Sequence, residues 1–170
     1  NPAMSNLIAK GALIYVMDTQ SRVSALNIED GSKIWENNLG SRENSYSASP
    51  GGLAILDDIL YAQSGGLDIV SLNALTGSEV WKVSFDFPII SGPVVNSKGV
   101  FVTLIDGTLI HLDGKKGNLI WENKVENEIK EVIGTGSVAL NNSKVVAPRL
   151  GGDITVLDIF DGSFLFEDNL

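Results

Sequence analysis

The sequence predicts an all-β fold built from one antiparallel unit used four times. Three observations carry that prediction. A ten-residue phrase recurs at 26–35, 72–81, 112–121 and 157–166. Short apolar segments bounded by turn residues fill the chain between the phrases, and none has a helical period. Glycine is abundant, at 18 of 170 residues, which suits many short strands joined by tight turns.

Each phrase reads Leu, then Asn or Asp, two free positions, a small or charged residue, Gly, two free positions, an aliphatic and an aromatic. Gly31, Gly77, Gly117 and Gly162 are separated by 46, 40 and 45 residues, a spacing that marks a repeat architecture. The leucine (Leu26, Leu72, Leu112, Leu157) ends an apolar strand. The Asx after it (Asn27, Asn73, Asp113, Asp158) starts a turn by accepting backbone N–H groups ahead of it. The glycine supplies a positive φ that other residues resist. The aromatic (Trp35, Trp81, Trp121, Phe166) sits in the returning strand.

The first unit spans about 2–39, with strands expected at 5–9, 13–17, 23–26 and 33–37 and turns at Lys10-Gly11 and Gln20-Ser21. A polar stretch, 40–49, links it to the second unit, about 50–85, whose strands are 52–56, 59–63, 67–72 and 79–83. Asp57-Asp58 and Gly65-Gly66 mark the turns of that unit. The third unit spans about 93–125, with strands at 94–95, 100–104, 108–112 and 119–123 and Asx-Gly turns at 96–99 and 106–107. The fourth spans about 136–170, with strands at 137–140, 144–148, 153–157 and 164–167. Asn141-Asn142 and Gly151-Gly152 are its turns. The best helix candidate, 126–132, is short and falls between units.

Repeated four-stranded antiparallel units of this length are blades of a β-propeller. A blade cannot bury both faces alone and stacks on its neighbours around an axis. The phrase aromatic is therefore expected to pack against an adjacent blade. Burying a tryptophan contributes roughly 2–3 kcal/mol at the usual area coefficient, so Trp35, Trp81 and Trp121 read as packing residues rather than ligand platforms. Closed propellers usually complete one blade with strands from both termini, and no spare strand is visible here. Four blades of four antiparallel strands are thus expected to be half of a larger, eight-bladed propeller. A self-closed four-bladed ring is the other solution.

Bulk properties exclude several classes. Hydrophobic content of 44% and charged content of 19% allow a real core. No run approaches the length of a membrane helix. No signal peptide is visible, so any targeting segment is expected to lie outside this stretch or never to have existed. The net charge is −9, which disfavours nucleic acid, since that binding neutralises phosphates with Lys and Arg. Without cysteine there are no disulfides and no thiolate metal sites.

The phrase resembles the quinoprotein-type (PQQ-like) propeller repeat, an Ala-x-Asp-x-x-x-Gly-x-x-x-Trp pattern, and the resemblance covers essentially the whole chain. Val23-Ser24-Ala25-Leu26-Asn27 with Gly31 and Trp35, then Ser91-Gly92-Pro93-Val94-Val95 and Gly107-Thr108-Leu109, are most similar to the BamB-like lipoproteins of outer-membrane β-barrel assembly. That resemblance implies an eight-bladed, non-enzymatic scaffold with no catalytic, cofactor or metal residues. It implies a periplasmic location, with outer-membrane association through a lipid anchor not present in this chain. The partners it implies are the barrel-assembly subunit and nascent outer-membrane proteins. In the family, a loop after a tryptophan strand contacts that subunit through Leu and Arg. The matching stretch here is 126–134, with Ile129, Lys130, Glu131, Val132 and Ile133 as candidate contacts. Ile133 stands near the place of the family arginine.

Enzymatic relatives of the repeat are quinone- and calcium-dependent dehydrogenases, and a dehydrogenase fragment is the competing reading; a ligand-sensing periplasmic domain is a third. The residues that could carry chemistry read as structural. Asp57-Asp58 is a solvated turn. His111, the only histidine, occupies the strand position held by Ala25, Ser71 and Val156 in the other units, with no triad partners identifiable. No helix follows Gly65-Gly66 or Gly151-Gly152, so neither is a phosphate loop. Two copies of the chain could also close an eight-bladed ring as a homodimer. Far-UV circular dichroism is expected to show β structure with almost no helix; a helix content above about one fifth would overturn the propeller reading.

Overall fold

A computed structural model describes residues 6–40, 51–63, 66–124, 137–148 and 152–169. Within them lie sixteen strands and no α-helix. The first sheet holds β1 (Ile8–Lys10), β2 (Leu13–Met17), β3 (Arg22–Asn27) and β4 (Lys33–Asn38). The second holds β5 (Gly52–Leu56), β6 (Ile59–Gln63), β7 (Asp68–Asn73) and β8 (Glu79–Ser84). The third holds β9 (Val94–Asn96), β10 (Gly99–Thr103), β11 (Leu109–Leu112) and β12 (Leu119–Asn123). The fourth holds β13 (Ala139–Leu140), β14 (Lys144–Pro148), β15 (Asp153–Asp158) and β16 (Phe164–Asn169). Every sheet is an antiparallel meander in chain order. The first strands adjoin one another, β1 on β5, β5 on β9 and β9 on β13, so the sheets radiate from an inner row with the fourth strands outermost. Strand β1 starts later than the sequence suggests: it begins at Ile8, and Gly11, at φ 59°, carries the turn after Lys10. The helix candidate 126–132 lies outside the described residues.

The phrase builds the same turn in each blade. The side-chain oxygens of Asn27, Asn73, Asp113 and Asp158 accept the N–H two residues ahead, at 2.8–3.0 Å. The N–H groups of Gly31, Gly77, Gly117 and Gly162 donate to the carbonyls of those same four residues. The four glycines share φ values of 71–72°, where a side chain costs about 1–2 kcal/mol.

Three joints hold the four blades together, and each uses the same parts. Trp35, Trp81 and Trp121 lie buried on the glycine of the next blade. A Cβ on Gly77 would sit 2.5 Å from the Trp35 ring, one on Gly117 2.8 Å from Trp81, and one on Gly162 2.7 Å from Trp121. The indole N–H of each tryptophan donates to the carbonyl three residues before that glycine: Ala74 at 2.9 Å, Gly114 at 3.0 Å and Ile159 at 2.9 Å. Asn37 and Asn123 add side-chain donation to the glycine carbonyls themselves, at 2.8 and 3.1 Å. In the middle joint Val83 takes that place by packing, and the Tyr61 hydroxyl donates to Gly114 at 3.0 Å. Behind each joint is one apolar cluster, centred on Tyr15, Leu60 and Leu72 in the first, Ile69, Val100 and Leu112 in the second, and Phe101, Val145 and Leu157 in the third.

The two end faces keep unmatched halves of this joint. Among the described residues nothing lies within 4 Å of a Cβ placed on Gly31, and Ile28, in the position of Ala74 and Ile159, is exposed. At the other end Phe166 is 46% exposed, with the Lys144 ammonium 5.5 Å from its ring centroid. Phe166 therefore does not sit on Gly31, and the four blades are not closed into a ring of their own.

The matched φ values make a clean test. Gly31→Ala is expected to cost about 1–2 kcal/mol, the backbone term alone. Gly117→Ala is expected to cost about 2–4 kcal/mol, because overpacking against Trp81 adds to it. Urea denaturation giving equal losses would remove the close approach as a constraint. By the same measurement Trp81→Ala is expected to cost about 3–5 kcal/mol, and Phe166→Ala about 1 kcal/mol or less.

Candidate functional site

In every blade the third and fourth strands slip by one residue at the same point. Ala25 faces Trp35 and Leu26 faces Lys33; Ser71 faces Trp81 and Leu72 faces Glu79. His111 faces Trp121 and Leu112 faces Leu119; Val156 faces Phe166 and Leu157 faces Phe164. The residue left without a partner is the aliphatic before the aromatic: Ile34, Val80, Ile120 and Leu165. A bulge re-aims one side chain while the ladder continues on both sides. Here it releases the aliphatic to the outside, where the four are 43–51% exposed. Val80 and Ile120 belong to blades covered on both faces, so this exposure is a property of the rim and not of an uncovered end.

The rim continues into neighbouring apolar residues. Leu75 and Phe160 stand exposed on the phrase turns, and Leu119 and Phe164 precede the bulge in the third and fourth blades. Ion pairs frame the stripe: Lys33 with Glu36 at 2.7 Å, Lys82 with Asp68 at 2.7 Å and Lys124 with Glu122 at 3.1 Å. Such exposed pairs contribute about 0–1 kcal/mol each to folding. β4, β8, β12 and β16 end their sheets, and among the described residues no strand pairs with their outer edges. Open edge N–H and C=O groups beside apolar side chains can take an extended polypeptide. The aliphatic position is visible in the repeated phrase. What sequence reasoning missed is that an aliphatic and an aromatic adjacent on one strand must point apart, so both cannot enter the same joint.

The residues with chemical potential are dispersed. His111 is 2% exposed, inside the third joint. Its ring stacks on Phe101 at 4.1 Å between centroids and meets Trp121 edge-on at 5.1 Å. Burial lowers its pKa below the ordinary value, while the Lys98 carbonyl and the Asp113 carboxylate act in the opposite direction. Asp57 and Asp58 are exposed on the turn after β5, and Asp58 reaches Lys10 of the first blade at 3.6 Å. Among the described residues no three of His, Cys, Asp and Glu come together to hold a metal ion. Among the described residues no helix is long and apolar enough to cross a membrane. Ile129, Lys130, Glu131, Val132 and Ile133 lie outside the described residues, as do Gly65 and Gly151.

Comparison with known proteins places this geometry. The family model for "Outer membrane protein assembly factor BamB" matches residues 19–170. BamB of Burkholderia pseudomallei is 26% identical over 163 residues, covering 96% of this chain and 38% of that protein. The crystal structure of BamB from Moraxella catarrhalis superposes with a TM-score of 0.75 at 17% identity, over 98% of this chain and 52% of that one. Quinohemoprotein alcohol dehydrogenase from Comamonas testosteroni gives 0.78 at 14% identity, over 99% and 35%. Likeness at these identities shows a shared propeller fold. The chain spans about two fifths of the length of the curated relatives it matches, 37–40% for the first three. The family match runs through all four phrase turns and all three tryptophan joints, and on it this chain belongs to the outer membrane protein assembly factor BamB family.

Proposed function

We propose that this chain is a partial propeller of a BamB-type scaffold, periplasmic and associated with the outer membrane through a lipid anchor outside the stretch described. It binds the barrel-assembly subunit, and nascent outer-membrane proteins, without catalysing a reaction. The observation that carries this reading is the aliphatic stripe Ile34, Val80, Ile120 and Leu165, one residue per blade, half exposed beside an open strand edge. The joints do not need these side chains, whereas an apolar partner surface does. The placement of His111 inside a joint and of Asp57 and Asp58 on an exposed turn supports a role in binding over one in chemistry.

The competing assignment, a fragment of a quinone-dependent dehydrogenase, rests on likeness of fold. Adding the quinone and calcium to the protein with an alcohol and a dye is expected to give no substrate-dependent reduction; turnover would overturn the scaffold reading. The joint halves left open at Gly31 and Phe166 fit blades of the same kind. An isolated chain is therefore expected to pair head to tail into an eight-bladed ring, with a light-scattering mass near twice the 18.1 kDa of one copy. A mass near one copy at all concentrations would exclude the pairing.

The rim is tested by Ile120→Asp and Val80→Asp. Each is expected to weaken binding to the barrel-assembly subunit about tenfold, the loss of roughly 1.4 kcal/mol of apolar burial, with the melting temperature unchanged. Undiminished binding would remove the rim. Ile129→Asp and Val132→Asp test the 126–134 contact in parallel: lost binding with folding intact supports it, and lost folding assigns the stretch to the core.

A further inference from the structure

Two residues of the third blade depart from the other blades together. At the centre of β11 the small residue of the other blades (Ala25, Ser71, Val156) is replaced by His111. At the head of β10, where the other blades carry Leu13, Ile59 and Lys144, stands Gly99. The second change makes room for the first. A Cβ on Gly99 would run into the Leu112 carbonyl oxygen and lie 2.7 Å from His111 Nε2. The imidazole is thus held in a fitted niche, flat on Phe101, with Nε2 3.1 Å from the Lys98 carbonyl. A carbonyl only accepts, so Nε2 carries the proton and donates. Nδ1 is buried and has no hydrogen-bond partner among the described residues.

That arrangement suits a neutral ring only. A second proton, on Nδ1, would place a charge and an unsatisfied donor among apolar groups. From the fourth blade the joint presents Val138, Val145, Ala147, Leu157 and Ile159, none of them titratable. From the third, Phe101 and Trp121 are apolar, and among the described residues Asp113 is the one carboxylate that acts on the ring. Asp113 also caps its own turn, accepting from Lys115 and Lys116 at 2.9 and 2.7 Å. The Lys98 ammonium lies 4.9 Å from the Phe160 ring centroid, across the joint. On the fourth blade Lys144 lies over Phe166, and Asp158 accepts from its own turn.

We propose that His111 makes the third joint acid-sensitive: uptake of one proton at Nδ1 opens the seam between the third and fourth blades, while the first two joints, with Ala25 and Ser71 at this position, do not respond. The direction follows from linkage. Burial lowers the folded pKa below the unfolded value of about 6.5, so the joint is at full strength above that pH. It weakens as pH falls from there toward the folded pKa, by about tenfold in the opening equilibrium per pH unit for one proton.

The chain has one histidine, so its imidazole proton signal is unique in an NMR titration of the whole chain. The signal is expected to titrate below the value of a histidine in the urea-unfolded chain; titration at or above that value would overturn the proposal without any variant. Hydrogen exchange then localises the effect. Between pH 7 and pH 5.5, amides of β14 and β15 are expected to gain roughly tenfold in opening after correction for intrinsic rates, with β2 and β3 unchanged. In His111→Ser, which carries the second blade's residue, that pH dependence should vanish even if the joint is weaker throughout. The same acid response in His111→Ser, or an equal response in all blades, would also overturn the proposal.

Discussion

A bare glycine Cα is the surface on which this architecture turns. Each tryptophan needs a neighbouring backbone it can approach more closely than any Cβ allows, and it needs a carbonyl within reach of its indole N–H. Gly77, Gly117 and Gly162 provide the first, and the carbonyls of Ala74, Gly114 and Ile159 provide the second. Because the Asx turn fixes glycine and carbonyl at a constant offset, one indole reads both at once. The geometry of the turn therefore sets the distance between sheets, and the apolar clusters fill the space that this distance leaves.

Much of this was legible from the phrase. All sixteen strands were placed, to within a few residues at the ends, because period-2 runs, Asx turns and glycines agree on the same boundaries. The position equivalent to His111 was also legible, since register follows once the phrases are aligned. The joint itself was not. A positive φ accounts for a recurrent glycine without reference to any partner, so nothing in the local sequence shows that a ring from the preceding blade lies on it. The bulge was hidden for a related reason: a one-residue slip between Ala25 and Leu26 is set by pairing across strands, and pattern along one strand does not reveal it.

The rim and the joints divide the side chains of each fourth strand between two tasks. In the first three blades the aromatic points to the next blade and holds the stack, and in all four the residue before it faces outward. The third blade adds a polar variation within the stack, where an imidazole replaces a small side chain and a glycine yields the space. The buried joint and the exposed rim are thereby built from neighbouring residues whose environments barely overlap.

The slipped register has a consequence for how such a surface can change over generations. Ile34, Val80, Ile120 and Leu165 each stand outside the ladder that surrounds them. Replacement at one of them leaves pairing, turn and indole contact as they were, and each blade can be altered independently of the rest. If the rim is the contact surface proposed above, its chemistry can change one blade at a time while the tryptophan joints, which do not use these four side chains, keep their parts.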